Sequence, residues 1–112
     1  MFDAALEDIS ARFRPDLILI SAGFDSHQAD PLGQLRLEDE DFIAMTRAVR
    51  QWAKSTCNSR IISCLEGGYN LDTLGATVTA HVNQLAGEPA GPPQRLPSAS
   101  GESPSLLPPD NI

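Results

Sequence analysis

Apolar and polar positions along the chain change period three times before Gly87, and each change marks an element. Phe2, Leu6, Ile9 and Phe13 recur at helical spacing and predict a helix that Pro15 ends. Leu17-Ile18-Leu19-Ile20 then run without alternation, which predicts a strand covered on both faces, as in parallel sheets. The stretch from Gly23 to Leu37 carries Gly33, Pro31 and a scatter of polar residues, and reads as a long loop. Phe42, Met45, Val49 and Trp52 mark a second helix. It opens near the acidic run Glu38 to Asp41, where the helix dipole favours negative charge. Ile61 to Leu65 reads as a short strand and Glu66 to Asn70 as a turn, after which Leu71, Leu74, Val78, Val82 and Leu85 stripe a third helix. A strand, a crossover helix and a second strand imply parallel neighbours joined right-handedly. A pair of parallel strands leaves faces and edges to be covered, so the expected fold is α/β and part of a larger sheet.

Past Gly87 the pattern stops. Seven of the nine prolines lie there, with Ser98, Ser100, Ser103 and Ser105 among them. Such a composition buries too little apolar surface to offset the entropy of ordering. The predicted organisation is a folded unit over 1–86 and a Pro/Ser-rich disordered tail over 87–112. A net charge of −7 over the 112 residues argues against nucleic acid or an anionic membrane as partner. No apolar run approaches the roughly 20 residues of a spanning helix. Met1 to Ser10 also lacks the basic-then-apolar order of a signal peptide. Cys57 and Cys64 make no disulfide framework, so a cytoplasmic location is expected.

Open α/β folds bind ligands at the carboxyl ends of their strands, and both unusual loops here follow a strand. Asp25, His27 and Asp30 form a candidate metal cluster, since carboxylates with an imidazole suit Zn²⁺. The plainer alternative is that the aspartates hold the loop by accepting from nearby amides. Gly67 and Gly68 let the backbone pass close to a ligand. Tyr69 on that turn could donate its hydroxyl to a carbonyl oxygen as charge develops, the alternative being a simple helix-entry turn. There is no G-x-S-x-G elbow and no phosphate loop. Cys57, Cys64 and His81 read as packing residues.

From about Phe13 to Leu85 the chain resembles the histone deacetylase superfamily, including its bacterial and acetylpolyamine amidohydrolase-like members. Ser21-Ala22-Gly23-Phe24-Asp25-Ser26-His27-Gln28-Ala29-Asp30-Pro31-Leu32-Gly33 is similar to that family's second metal-binding segment. Leu65-Glu66-Gly67-Gly68-Tyr69-Asn70-Leu71 is similar to its catalytic-tyrosine turn. The resemblance implies a partial arginase/deacetylase-type three-layer α/β/α fold with parallel strands. It also implies Zn²⁺-dependent hydrolysis of an acetylated amine, of acetyl-lysine or acetylpolyamine type. Carried over by position, Asp30 would be a zinc ligand, Tyr69 the oxyanion donor and Leu37 a substrate-tunnel residue. Gly67 and Gly68 would admit the backbone to the tunnel base, while Asp25 and His27 would shape the loop rather than bind metal. The family's adjacent histidine pair, its first ligand Asp and its ligand His belong upstream of these motifs and have no counterpart here. The chain is therefore expected to be the C-terminal part of such a domain and inactive alone. The alternative is a non-catalytic α/β module that docks on a partner chain or complements a separately encoded N-terminal half. Glu38 stands where the family often has a Thr or Ser helix cap, so Asp39 is expected to cap one residue later.

Overall fold

A computed structural model describes residues 1–87. Its elements run α1 (Phe2–Arg12), β1 (Ile18–Ala22), α2 (Asp39–Thr56), β2 (Ile61–Leu65) and α3 (Leu71–Ala86). The tail expected over 87–112 lies, past Gly87, outside the described residues.

β1 and β2 pair in parallel, in register from Ile18 opposite Ile61 to Ala22 opposite Leu65, with α2 as the crossover. Parallel pairing brings both strand ends to the same edge, so the loops after them meet. The helices α2 and α3 pack on each other. Ile18, Ala53 and Cys57 make one small core with Ile20, Val49, Trp52 and Ile61 around it. Ala22, Phe24 and Phe42 make another beneath the loops, flanked by Leu37, Met45 and Leu74.

Only one face of the sheet is covered by the described residues. Leu19 is 70 % exposed and Ile62 50 %, both on the side away from α2 and α3. The uninterrupted apolar run predicted cover on both faces, and the third layer of an α/β/α arrangement is not formed within residues 1–87. The helix α1 forms where its periodicity predicted but buries none of its residues.

Only part of the apolar stripe predicted for α3 turns inward, Leu74 and Val78 packing beside Phe24 and Phe42. Leu71 is 84 % exposed and Val82 52 %, whereas Thr73, Ala76, Thr77, Ala80, His81 and Gln84 are buried. Small side chains let α3 lie close to α2 and β2, and polar partners across the contact satisfy the rest. Thr77 donates its hydroxyl to Asp39 Oδ1. His81 sits between Thr46 Oγ1 at 2.7 Å and Ser63 Oγ at 2.8 Å. Thr46 spends its own proton on the Phe42 carbonyl, at 2.7 Å. Its oxygen therefore accepts from His81 Nδ1, and Nε2 accepts from Ser63. Burial holds the His81 imidazole below its ordinary pKa.

Glu38, not Asp39, is the residue that caps α2, and Asp41 reaches back to accept from the Glu38 amide at 2.8 Å. Asp39 is taken up by α3 instead. Cys57 is buried as expected, but Cys64 is exposed on the uncovered side of β2. Among the described residues no helix is long and apolar enough to cross a membrane.

Candidate functional site

The parallel ladder continues past the strands and joins the two loops. Glu66 N donates to Ala22 O at 2.9 Å and Phe24 N to Gly67 O at 2.8 Å. The first loop then closes on itself. Gln28 N donates to Leu37 O at 2.8 Å and Leu37 N to Ser26 O at 3.1 Å, an isolated parallel bridge that returns the chain to α2.

Asp30 is buried inside this closed loop. Its Oδ1 accepts from Leu32 N at 2.8 Å and Gly33 N at 2.9 Å, and its Oδ2 accepts from Tyr69 N at 2.7 Å. Burial pushes the carboxyl up, but the amides of Tyr69, Leu32, Gly33 and Asn70 outweigh it and hold the group below the usual carboxylate range. Asp30 is thus an ionised group fixed between two loops. Tyr69 follows the Gly pair and is 54 % exposed. Gly68 takes φ of 142°, and a Cβ there would stand 2.6 Å from Leu74 Cδ1. Only glycine suits that backbone. At Gly67 a Cβ would come 3.0 Å from Asp25 Cγ, so the close approach of the loops depends on its absence.

His27 is committed within the loop. Its Nδ1 accepts from Ala29 N at 3.1 Å, and its Nε2 lies 3.4 Å from Asp39 Oδ1. Its ring stacks over Phe42 with centroids 6.2 Å apart. Both nitrogens are used, which removes His27 as a ligand. The carbonyl oxygen of Asp25 is packed so tightly on Gly33 that a Cβ there would lie 1.6 Å away, and the Asp25 side chain is itself exposed. Asp25, His27 and Asp30 therefore do not converge, and no group of three or more metal-ligating side chains occurs among the described residues.

The structure brings His27, Asp30, Gly68 and Tyr69 around one notch beside Phe24 and Leu74. Leu37 lines a separate apolar hollow with Ile20, Phe42 and Met45, and Phe24 lines both. Sequence reasoning missed Asn70. Its side-chain oxygen accepts from Asp72 N and Thr73 N to cap α3, and its Nδ2 donates to Ala29 O at 2.7 Å. An Asn just ahead of a helical stripe is a capping signal in its own right. The contacts of Asp39 and Phe24 were not legible, because both depend on distant segments.

Oδ1 of Asp30 takes two amides, those of Leu32 and Gly33, while Oδ2 takes that of Tyr69. An ionised carboxylate held in a fixed orientation fits one corner of a Zn²⁺ site. The remaining donors are not found among the described residues.

Known proteins resemble this chain in sequence and in fold. Residues 1–85 match the family described as the histone deacetylase domain. Histone deacetylase 14, chloroplastic, of Arabidopsis thaliana is 36 % identical over 88 residues, 79 % of this chain and 21 % of its own length. The polyamine deacetylase HDAC10 of Homo sapiens is 39 % identical over 95 residues, 85 % of this chain and 14 % of its own. Among solved structures, the HDA15 HD domain has a TM-score of 0.67 at 37 % identity, covering 80 % of this chain and 24 % of that one. The chain spans about a fifth of the length of the first curated relatives it matches, 21 % and 20 %. With both of its loops, its parallel strand pair and its sequence in agreement, the chain belongs to the histone deacetylase family.

Proposed function

We propose that this chain is the C-terminal part of a zinc-dependent deacetylase that hydrolyses an acetylated amine. The observation that carries the reading is the bond from Tyr69 N to Asp30 Oδ2, which ties the family's metal-binding segment to its tyrosine turn. Asp30, kept ionised by backbone amides, would hold the zinc through Oδ2. The ion, when bound, polarises the acetyl carbonyl and lowers the pKa of water. Tyr69 would donate from its hydroxyl to the carbonyl oxygen as water adds to the acetyl carbon and that oxygen gains negative charge. The C–N bond then breaks, the nitrogen takes up the proton the water gives up, and acetate and the free amine leave. Gly67 and Gly68 admit the backbone to that oxygen, and Leu37, from its apolar hollow, meets the aliphatic chain of the substrate. Asp25 and His27 keep the loop's shape. One carboxylate cannot hold a catalytic zinc, which needs about three protein ligands, so residues 1–87 alone are inactive. Acetyl-lysine and acetylpolyamine are the substrate classes to assay, and the site belongs to the cytoplasm.

The test is to express the longest reading frame that contains this chain and to follow acetate release from both substrates, with and without a chelator. Chelator-sensitive release is expected, and Tyr69→Phe should lower kcat by about 10²–10³, the usual cost of one oxyanion donor. An unchanged kcat removes Tyr69 from the mechanism.

A second reading is favoured by the uncovered sheet face, where Leu19 and Ile62 are exposed. In it the chain docks on a separately encoded N-terminal half of the same domain. Mixing the two at micromolar concentration should then restore zinc binding, and no recovery counts against it.

A further inference from the structure

We infer that Asn70 is a positioning residue of the deacetylase site, setting the loop that bears Asp30 against the turn that bears Tyr69. The inference rests on the deacetylase reading. Its structural half can be tested without that reading.

Asn70 uses both ends of its amide. The oxygen accepts from Asp72 N at 3.0 Å and Thr73 N at 3.2 Å, which fixes the side chain on the first turn of α3. The nitrogen donates to Ala29 O at 2.7 Å, the carbonyl of the peptide bond that leads into Asp30. Beside it, Tyr69 N donates to Asp30 Oδ2. Adjacent residues on one loop, Ala29 and Asp30, are thus gripped by adjacent residues on the other, Asn70 and Tyr69. The Phe24 N to Gly67 O bond joins the loops at their base, and these two bonds, further out, fix the angle between them. The Tyr69 bond also shares Oδ2 with the position assigned to a ligand. The Asn70 bond does not, so it holds the loops in register whatever Asp30 carries.

The chemistry of the side chain makes the role separable from capping. Aspartate caps a helix as well as asparagine does but has no hydrogen to donate. In Asn70→Asp the start of α3 should survive while the grip on Ala29 is lost. In Asn70→Ser a neutral cap remains that is too short to reach Ala29, which covers the case in which a carboxylate beside Asp72 disturbs folding.

The first measurement is backbone amide hydrogen exchange in the 112-residue chain. In both variants the Tyr69 amide should exchange about tenfold faster, while Thr73 keeps its protection. The second is kinetics in the longest reading frame that contains the chain. There kcat should fall about 10- to 100-fold, the scale of a small misplacement of reacting groups, with KM and bound zinc nearly unchanged. Wild-type exchange at Tyr69, or a wild-type kcat in both variants, overturns the inference and leaves Asn70 a cap alone. Tyr69→Phe in the same frame separates the two ideas. If that variant is fully active Tyr69 leaves the mechanism, and if the unsubstituted frame releases no acetate the deacetylase reading fails; in either case the exchange result stands by itself.

Discussion

His81 shows how a single buried side chain can tie stability to pH. Its ring is closed in by Thr46, Ser63 and the edge of Phe24, whose ring centroid lies 5.6 Å away. A second proton would have to displace the Ser63 hydrogen from Nε2 inside a largely buried contact. Burial accordingly lowers the imidazole's pKa from its ordinary 6.5 in the folded chain. Between 6.5 and that lowered value the unfolded chain binds the extra proton and the folded chain does not. Stability is therefore full above 6.5 and declines as pH falls below it. In His81→Gln this decline should shrink, read from urea midpoints across the same window. A slope as steep as wild type would mean that another group is responsible. At Asp30 the balance runs the other way, since amides overcome burial and keep the charge.

Among the elements, the contact of α2 with α3 supports the site from below. Asp39, at the start of α2, receives the Thr77 hydroxyl and faces His27 Nε2, so one carboxylate links α3 to the loop that carries Asp30. Thr77 is 1 % exposed. Thr77→Val keeps the shape and the β-branching but removes the donor. It should cost about 1–3 kcal/mol in urea unfolding, the range for a lost hydrogen bond to a charged group. A cost well under that range would show that Asp39 finds another partner. The same contact marks where the sequence could be read and where it could not. The strand Ile61–Leu65 and all the helices are local patterns, and they fall where periodicity predicted. The site loops were legible from their motifs, and Asp30 and Tyr69 do meet. His81 was legible as a packing residue of α3, but the burial of Thr77 was not, because it turns on a partner on α2. Nor was the capping of α2 by Glu38, which turns on Asp41 reaching back three residues.

At the scale of the molecule, the governing feature among the described residues is a two-stranded sheet with helices on one side. Exposed apolar surface of that kind drives association. In sedimentation velocity the 112-residue chain should show a mean size that rises with concentration. Leu19→Lys combined with Ile62→Lys should suppress the rise, while a wild-type chain that stays monomeric would mean the face is covered. The parallel topology has a further effect, on the order of events at the ribosome. Tyr69 follows Asp30 by 39 residues, and its bond cannot form until β2 has been made and laid beside β1. At about 5–20 residues per second, Asp30 waits about 2–8 s for Tyr69 to be synthesised. Over that interval the nascent loop carries its carboxylate without the partner that later fixes it, so the order of synthesis leaves the second loop to complete the first.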